Sequence, residues 1–298
     1  MNVMNKAAET KYLSRFRQVF DYIDQHLDED LSIEILSAVA VFSQYHFHRQ
    51  FSEIFGISVH KYVQLVRLKR ATHTLAFRDH GRIIDLALAC GYEGPEAFSR
   101  AFKKMLGQSP SAFKDDPLWT SWHSSYQAVH TIRIKHMQPE HTIERVQILD
   151  VAPIKIAVLE HHGAPDRISH SIRQFIDWRR QHRLPPGVSA TFNIFYSDPH
   201  QTHPADYRLD LCAAVKYEIA EDNEFGIVNK TIPGGRCAVL RHIGSDDNLE
   251  QTIRFIYAEW LPQSGEELRD FPLYVQRVKF FPDVAEHEAI IDVFLPIQ

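Results

Sequence analysis

Residues 43–56 read SQYHFHRQFSEIFG, and residues 94–107 read GPEAFSRAFKKMLG. They are one segment written twice, 51 positions apart: Phe47 falls on Phe98, Arg49 on Arg100, Phe51 on Phe102 and Gly56 on Gly107. The apolar residues recur at helical spacing, with Phe47, Phe51, Ile54 and Phe55 on one stripe and Phe98, Phe102, Met105 and Leu106 on the other. Each stripe ends at a glycine, where a helix exit takes a left-handed residue. Gly94-Pro95 suits a cap followed by the first helical position, and Ser109-Pro110 opens the next helix in the same way. Upstream, Ile33, Glu34 and Ile35 fall on Ile84, Asp85 and Leu86. The repeated unit is a short helix, a turn, a second helix and a capped exit. Two copies are too few for a solenoid, so the pair reads as two helix-turn-helix units.

Burying the Phe stripe turns Tyr45, His48, Arg49 and Ser52 outward in the first copy, with Gln44 at the helix start. Glu96, Ser99, Arg100 and Lys103 are their counterparts in the second. Polar helix faces are commonly just solvated. Two equivalent faces in one small unit point instead to side chains meeting base edges in a major groove. Residues 59–77 read as one long helix, spanning roughly 28 Å. That length suits a strut holding two recognition helices about one DNA turn, ~34 Å, apart. Residues 12–27 form an amphipathic helix, Ser32 caps a helix over 33–39, and Asp79–Arg82 is the turn before the second unit.

This stretch resembles the DNA-binding domain of AraC-type transcription regulators. The residues that carry the likeness include His46-Phe47-His48-Arg49-Gln50-Phe51, Gly56, Arg67-Leu68, Gly91-Tyr92, Phe98-Ser99-Arg100-Ala101-Phe102-Lys103, Gly107 and Ser109-Pro110. It implies two helix-turn-helix units joined by a long helix, bound to double-stranded DNA. Ala40 departs from the pattern: the family often has a glycine-like turn residue there, and the second copy keeps Gly91. The acidic Glu96 repels phosphate but can accept from a cytosine amino group.

Charge divides along the same line. Residues 43–114 hold eleven Lys and Arg against five Asp and Glu, a net +6, as a phosphate-binding surface requires. From Pro117 onward the count is 18 against 24, a net −6. The 298 residues, 44% apolar and 24% charged, suit two globular domains. No apolar run approaches a membrane span, and Met1–Lys11 lacks a secretory signal pattern. The three cysteines, Cys90, Cys212 and Cys237, lie far apart and read as buried thiols, which implies the cytoplasm.

The second half is duplicated too. Ala157-Val158-Leu159, His161, Gly163, Asp166, Ile172 and Arg173 recur 81 residues later as Ala238-Val239-Leu240, His242, Gly244, Asp247, Ile253 and Arg254. Each copy reads as strand, helix, strand, strand, with a groove at the join. Phe192, Phe195, Tyr257, Trp260 and Tyr274 are candidate ligand-lining aromatics. This half resembles the GyrI-like small-molecule-binding domains through Tyr196-Ser197-Asp198-Pro199, Tyr207-Arg208-Leu209-Asp210, Gly234-Gly235-Arg236-Cys237, Trp260-Leu261-Pro262-Gln263-Ser264-Gly265 and Leu295-Pro296. Such domains bind hydrophobic, often cationic compounds, and some relatives use a glutamate in a Phe-Glu-x-Tyr stretch. Here that stretch is Phe271-Pro272-Leu273-Tyr274, so proline replaces the glutamate. The loss argues against the hydrolase activity of some members, which resembles acid–base chemistry needing a carboxylate. Glu160 or Glu218 restores one only if its side chain turns into the groove.

The eighteen histidines offer no metal-ligand spacing: His46 and His48 lie on different helix faces, and His161-His162 alternates on a strand. No phosphate loop or nucleophile elbow is present, Gly234-Gly235 reads as a turn, and no cofactor is implied. The fold expected is α + (α+β). An all-α double helix-turn-helix domain covers 8–116, a linker 117–140, and an α+β domain 141–298, its antiparallel sheet carrying both helices on one face. The function expected is a DNA-binding transcription regulator and activator, reading an asymmetric promoter site, contacting RNA polymerase and sensing a small apolar effector. The alternatives are a hydrolase-like C-terminal enzyme on small electrophiles and a non-sensing docking module.

Overall fold

The computed structural model describes the chain except residues 1–2, 79–81, 200 and 221, with side chains from Tyr12 onward. The expected turn at Asp79–Arg82 therefore lies, but for Arg82, outside the described residues. The chain divides into two units, Met1–Gln138 with Ala285–His287, and Pro139–Val284 with Glu288–Gln298.

The first unit is all α: α1 (Val3–Gln25), α2 (Ile33–Val39), α3 (Gln44–Phe55), α4 (Val59–Phe77), α5 (Ile83–Ala89), α6 (Pro95–Leu106), α7 (Pro110–Asp115) and α8 (Trp119–His136). Ser32, Ser43, Ser58 and Ser109 each cap a helix by accepting from the backbone N–H three residues on. The exits of α3 and α6 are the left-handed Gly56 and Gly107. An aromatic cluster seats α3. The Phe51 ring lies 5.8 Å from Phe20, 4.8 Å from Phe55 and 6.0 Å from Tyr62.

Two details differ from the reading of the sequence. The first is the offset between copies, which is 51 residues in the recognition helices but 50 in the helix and turn before them. Leu36 and Leu86 are the matching buried leucines, and Phe42 and Tyr92 make matching N–H bonds to Ser37 and Ala87. The left-handed counterpart of Gly91 (φ 77) is thus Val41 (φ 56), not Ala40, which is helical at φ −73. Glu93 supplies the extra residue of the second turn. The second concerns residues 117–140, expected as a linker. They hold α8, with Trp119, Trp122, Tyr126, Val129 and Ile132 buried in the first unit's core. Trp119 stacks on Phe77 at 5.5 Å. Near the far end of α8, Arg133 donates to Asp24 at 3.0 Å, while Lys69 of α4 donates to Glu286 at 2.6 Å.

The second unit is one eight-stranded antiparallel sheet: β1 (Gln147–Val151), β2 (Ile154–His162), β3 (Thr191–Phe195), β4 (Arg208–Ala214), β5 (Val228–Ile232), β6 (Gly235–Ile243), β7 (Tyr274–Lys279) and β8 (Ile290–Pro296). The strand order is β1-β6-β8-β7-β3-β4-β2-β5. Its halves are related by the 81-residue period and meet where β3 pairs with β7, Ile194 opposite Tyr274. The edge strands β1 and β5 were not expected. They begin at Gln147 and Val228, again 81 apart, and each pairs with the other copy's first long strand, β1 with β6 and β5 with β2. The two repeats exchange their leading strands. Helices α9 (Ile168–Gln181) and α10 (Leu249–Phe255) cover one face, and α10 runs through a π turn at Ile256–Trp260 into α11 (Leu261–Ser264). Antiparallel pairing with both helices on one face agrees with the sequence reading. The other face carries its own apolar cluster, Ile156, Val158, Phe192, Ile194, Cys212, Tyr274 and Phe294 among its members.

Candidate functional site

The recognition helices expose the side chains that helical spacing turned outward. On α3, Phe47 and Phe51 are fully buried, while Gln44, Tyr45, His48 and Arg49 are exposed and Ser52 is half-buried. Tyr45 is 79% exposed, a large amphipathic ring held free of the core. An open cleft of ≈ 720 Å³ runs beside it, lined by Ser32, Ser43, Gln44, Tyr45, His48 and His60. On α6, Glu96, Arg100 and Lys103 are exposed, Ser99 is half-buried, and Phe98 and Phe102 are inside. The structure thus gathers all nine candidate DNA residues on two helix faces within the first unit, and only the arginine is common to both. One basic residue of the motif is tied to the protein's own backbone. Arg67 donates to the carbonyls of Leu27 at 3.0 Å and Glu29 at 2.7 Å. A Cβ at position 91 would lie 2.5 Å from its guanidinium, so Gly91 serves both the turn and this buttress.

The five candidate ligand aromatics do not form one site. Strand alternation puts Phe192 and Tyr274 on the helix-free face, but Phe195 on the opposite face against the helix-side cores. Trp260 belongs to that helix-side core, and Tyr257 is 39% exposed on the same helical segment. The helix-free face is therefore the coherent patch. Tyr274 stacks on Phe294 at 4.8 Å and meets Phe271 edge-on at 6.2 Å.

The electrostatics of this face answer the question of a substitute carboxylate. Glu160 stands directly opposite Asp210 across β2 and β4, two acids side by side. Lys230 donates to both, and Arg208 reaches Glu160 at 3.1 Å and Asp210 at 3.3 Å. The hydrogen bond from Lys230 holds the Glu160 carboxyl below its ordinary pKa. Both negative charges are thus already matched within the fold. In the second copy the equivalent cross-strand pair is Arg241 with Asp292, bonded at 2.7 Å. Glu218 is exposed beyond the end of β4.

A buried histidine in each copy was only half legible. His161 Nδ1 lies 2.8 Å from Ser171 Oγ, and His242 Nδ1 lies 2.7 Å from Thr252 Oγ1, the same pair 81 residues apart. Each ties a long strand to the helix above it. Burial lowers both imidazole pKa values, so these histidines are neutral braces.

Residues 144–298 match the GyrI-like small molecule binding domain, and residues 36–116 match a helix-turn-helix domain. The chain belongs to the GyrI-like family. It is an AraC-type DNA-binding transcription regulator with a GyrI-like small-molecule-binding domain. It is 36% identical over 153 residues to the "Probable transcriptional regulator YgiV" of Escherichia coli (strain K12), covering 51% of this chain and 95% of that relative. It is 28% identical over 259 residues to the "Right origin-binding protein" of the same organism, covering 83% and 84%. Among solved structures, an EcmrR–DNA complex covers 86% of this chain and 85% of its own at 12% identity, with a TM-score of 0.43. Among the described residues of this GyrI-like regulator, no helix is long and apolar enough to cross a membrane.

Proposed function

We propose that this protein is a one-component regulator that reads DNA as a single chain and performs no chemistry on its effector. The supporting observation is that one polypeptide presents two recognition faces bearing different side chains. Such a pair calls for an asymmetric site about two turns long rather than a palindrome. The effector is a flat, mostly apolar compound held on the helix-free face of the second unit around Phe192, Tyr274 and Phe294. The GyrI-like fold supports binding there. Glu160 and Asp210 are paired with Lys230 and Arg208, and Asp292 with Arg241, so these carboxylates are not free for acid–base work among the described residues. The regulatory output is activation through contact with RNA polymerase. Three cysteines in no disulfide fit a cytoplasmic protein.

Selecting bound sequences from a random pool with the full chain, then footprinting the winner, tests the reading. One protein protecting an asymmetric site of about two turns is the expected result. A palindromic site bound by two chains refutes it. Transcription from that site in a purified system, with and without a candidate apolar ligand, tests activation.

A further inference from the structure

Arg269 is a cation on the helix-free side of the second unit for which the backbone has made room. It lies three residues before Pro272, where some GyrI-like relatives carry a glutamate. The residue is half-buried. Nη1 donates to the Gly234 carbonyl, Nη2 points to Cys237 Sγ at 3.9 Å, and Nε is buried with no acceptor. Gly235 stands at φ +125, and a Cβ there would collide with Nη1, so Gly234-Gly235 is more than a turn. The Tyr274 hydroxyl lies 3.7 Å from the same Cys237 Sγ. Guanidinium, thiol and phenol therefore share one spot beside the Phe271, Tyr274 and Phe294 rings.

No carboxylate forms an ion pair with Arg269 among the described residues. The other cations nearby are matched: Arg208 and Lys230 by Glu160 and Asp210, Arg241 by Asp292, and Arg236 by Glu266. A partly buried arginine with an idle N–H is a planar fork, suited to a carboxylate or sulfonate. Desolvating it without such a partner is costly, and a ligand that brings the anion supplies the partner.

We propose that Arg269 sets the charge preference of the effector face, selecting compounds with a flat apolar body and one anionic group. This rests on the effector face lying on the helix-free side, and it reverses the charge expected of family ligands. The anion meets the guanidinium, and the body packs on the rings beside it.

The test uses the full chain and two probes sharing one ring framework. They are 8-anilinonaphthalene-1-sulfonate and the neutral N-phenyl-1-naphthylamine. A charge-assisted bond predicts that the sulfonate binds roughly 10- to 100-fold tighter. Arg269→Gln should abolish that preference, read as the ratio of the two affinities within the one variant, while Arg269→Lys should keep part of it. Equal affinities in the parent, or a preference surviving in Arg269→Gln, overturn the inference and leave the effector-face reading intact. Failure of both probes to bind overturns both. A measurement on the parent chain avoids any folding defect of the variants. The sulfonate, but not the neutral probe, should protect Arg269 from an arginine-selective dicarbonyl reagent read by mass spectrometry. Equal labelling with the two probes overturns the proposal.

Discussion

Replacing Thr252 by Val removes one hydroxyl from the middle of a hydrogen-bonded chain without changing the shape of the side chain. Thr252 is fully buried on α10. His242 Nε2 lies 3.0 Å from the Ser245 carbonyl, which only accepts, so that nitrogen carries the proton and Nδ1 is the acceptor. The Thr252 hydroxyl therefore donates to His242 Nδ1 at 2.7 Å, and its oxygen accepts from His141 Nε2 at 2.8 Å. Valine leaves His242 Nδ1, in a side chain only 1% exposed, with no donor. A buried acceptor stripped of its partner costs about 1–3 kcal/mol. His141 is half-buried and turns to water, so it adds little. The expected loss is about 2 kcal/mol, a fall in Tm of roughly 4–8 °C for a unit of this size. Scanning calorimetry of the full chain, with hydrogen exchange along β6 to assign the affected transition, measures it. Thr252→Ser keeps the hydroxyl and should lose less than the Val variant. A Val variant within about 0.5 kcal/mol of the parent, or a Ser variant less stable than the Val one, refutes the chain of donors.

The same histidines set a pH dependence. Burial holds His161, His242 and His141 below the ordinary imidazole pKa. Their neutral forms favour the folded state, so this contribution is full above about pH 6.5 and is lost as pH falls toward the lowered folded values. Urea unfolding should show the second unit less stable at pH 5.5 than at pH 7.5, and no change or a gain contradicts the assignment. Val41 is a β-branched residue at φ 56 and 71% exposed, so Val41→Gly relieves left-handed strain at little loss of burial. It should stabilise the first unit by about 0.5–1 kcal/mol after the entropy of glycine is counted, and a destabilised variant on denaturant titration refutes the strain. Arg49→Ala and Arg100→Ala should each weaken binding to a selected DNA site by about 1–3 kcal/mol and relax preference locally. Affinity of the parent should fall steeply with salt, and a flat salt response in a binding titration opposes the +6 surface as the DNA contact.

Helix periods, caps and both duplications were legible in the residues, because each rests on local chemistry. The Phe47/Phe51 and Phe98/Phe102 stripes decided which faces of α3 and α6 turn outward, and a serine or glycine marked both ends of these two helices. The resemblance to AraC-type and GyrI-like families likewise rests on motifs that stand in the sequence. What stayed hidden depends on partners distant in the chain. Residues 119–136 spread their aromatics among serines and histidines, and only the core of Phe77 and Phe113 turns that stretch into a buried helix. The short edge strands β1 and β5 are exposed over most of both faces, so their sequences carry little of the alternation that marks a half-buried strand. Their exchange between repeats is a matter of topology. The one-residue shift at Val41 was masked because sliding two copies rigidly hides an insertion in a turn. Aromatic content suggested five ligand residues, but the pleat of β3 separates Phe192 from Phe195 by the thickness of the sheet. The unmatched charge of Arg269 is likewise a tertiary fact, since an arginine's counter-ion is chosen by neighbours that the fold brings together.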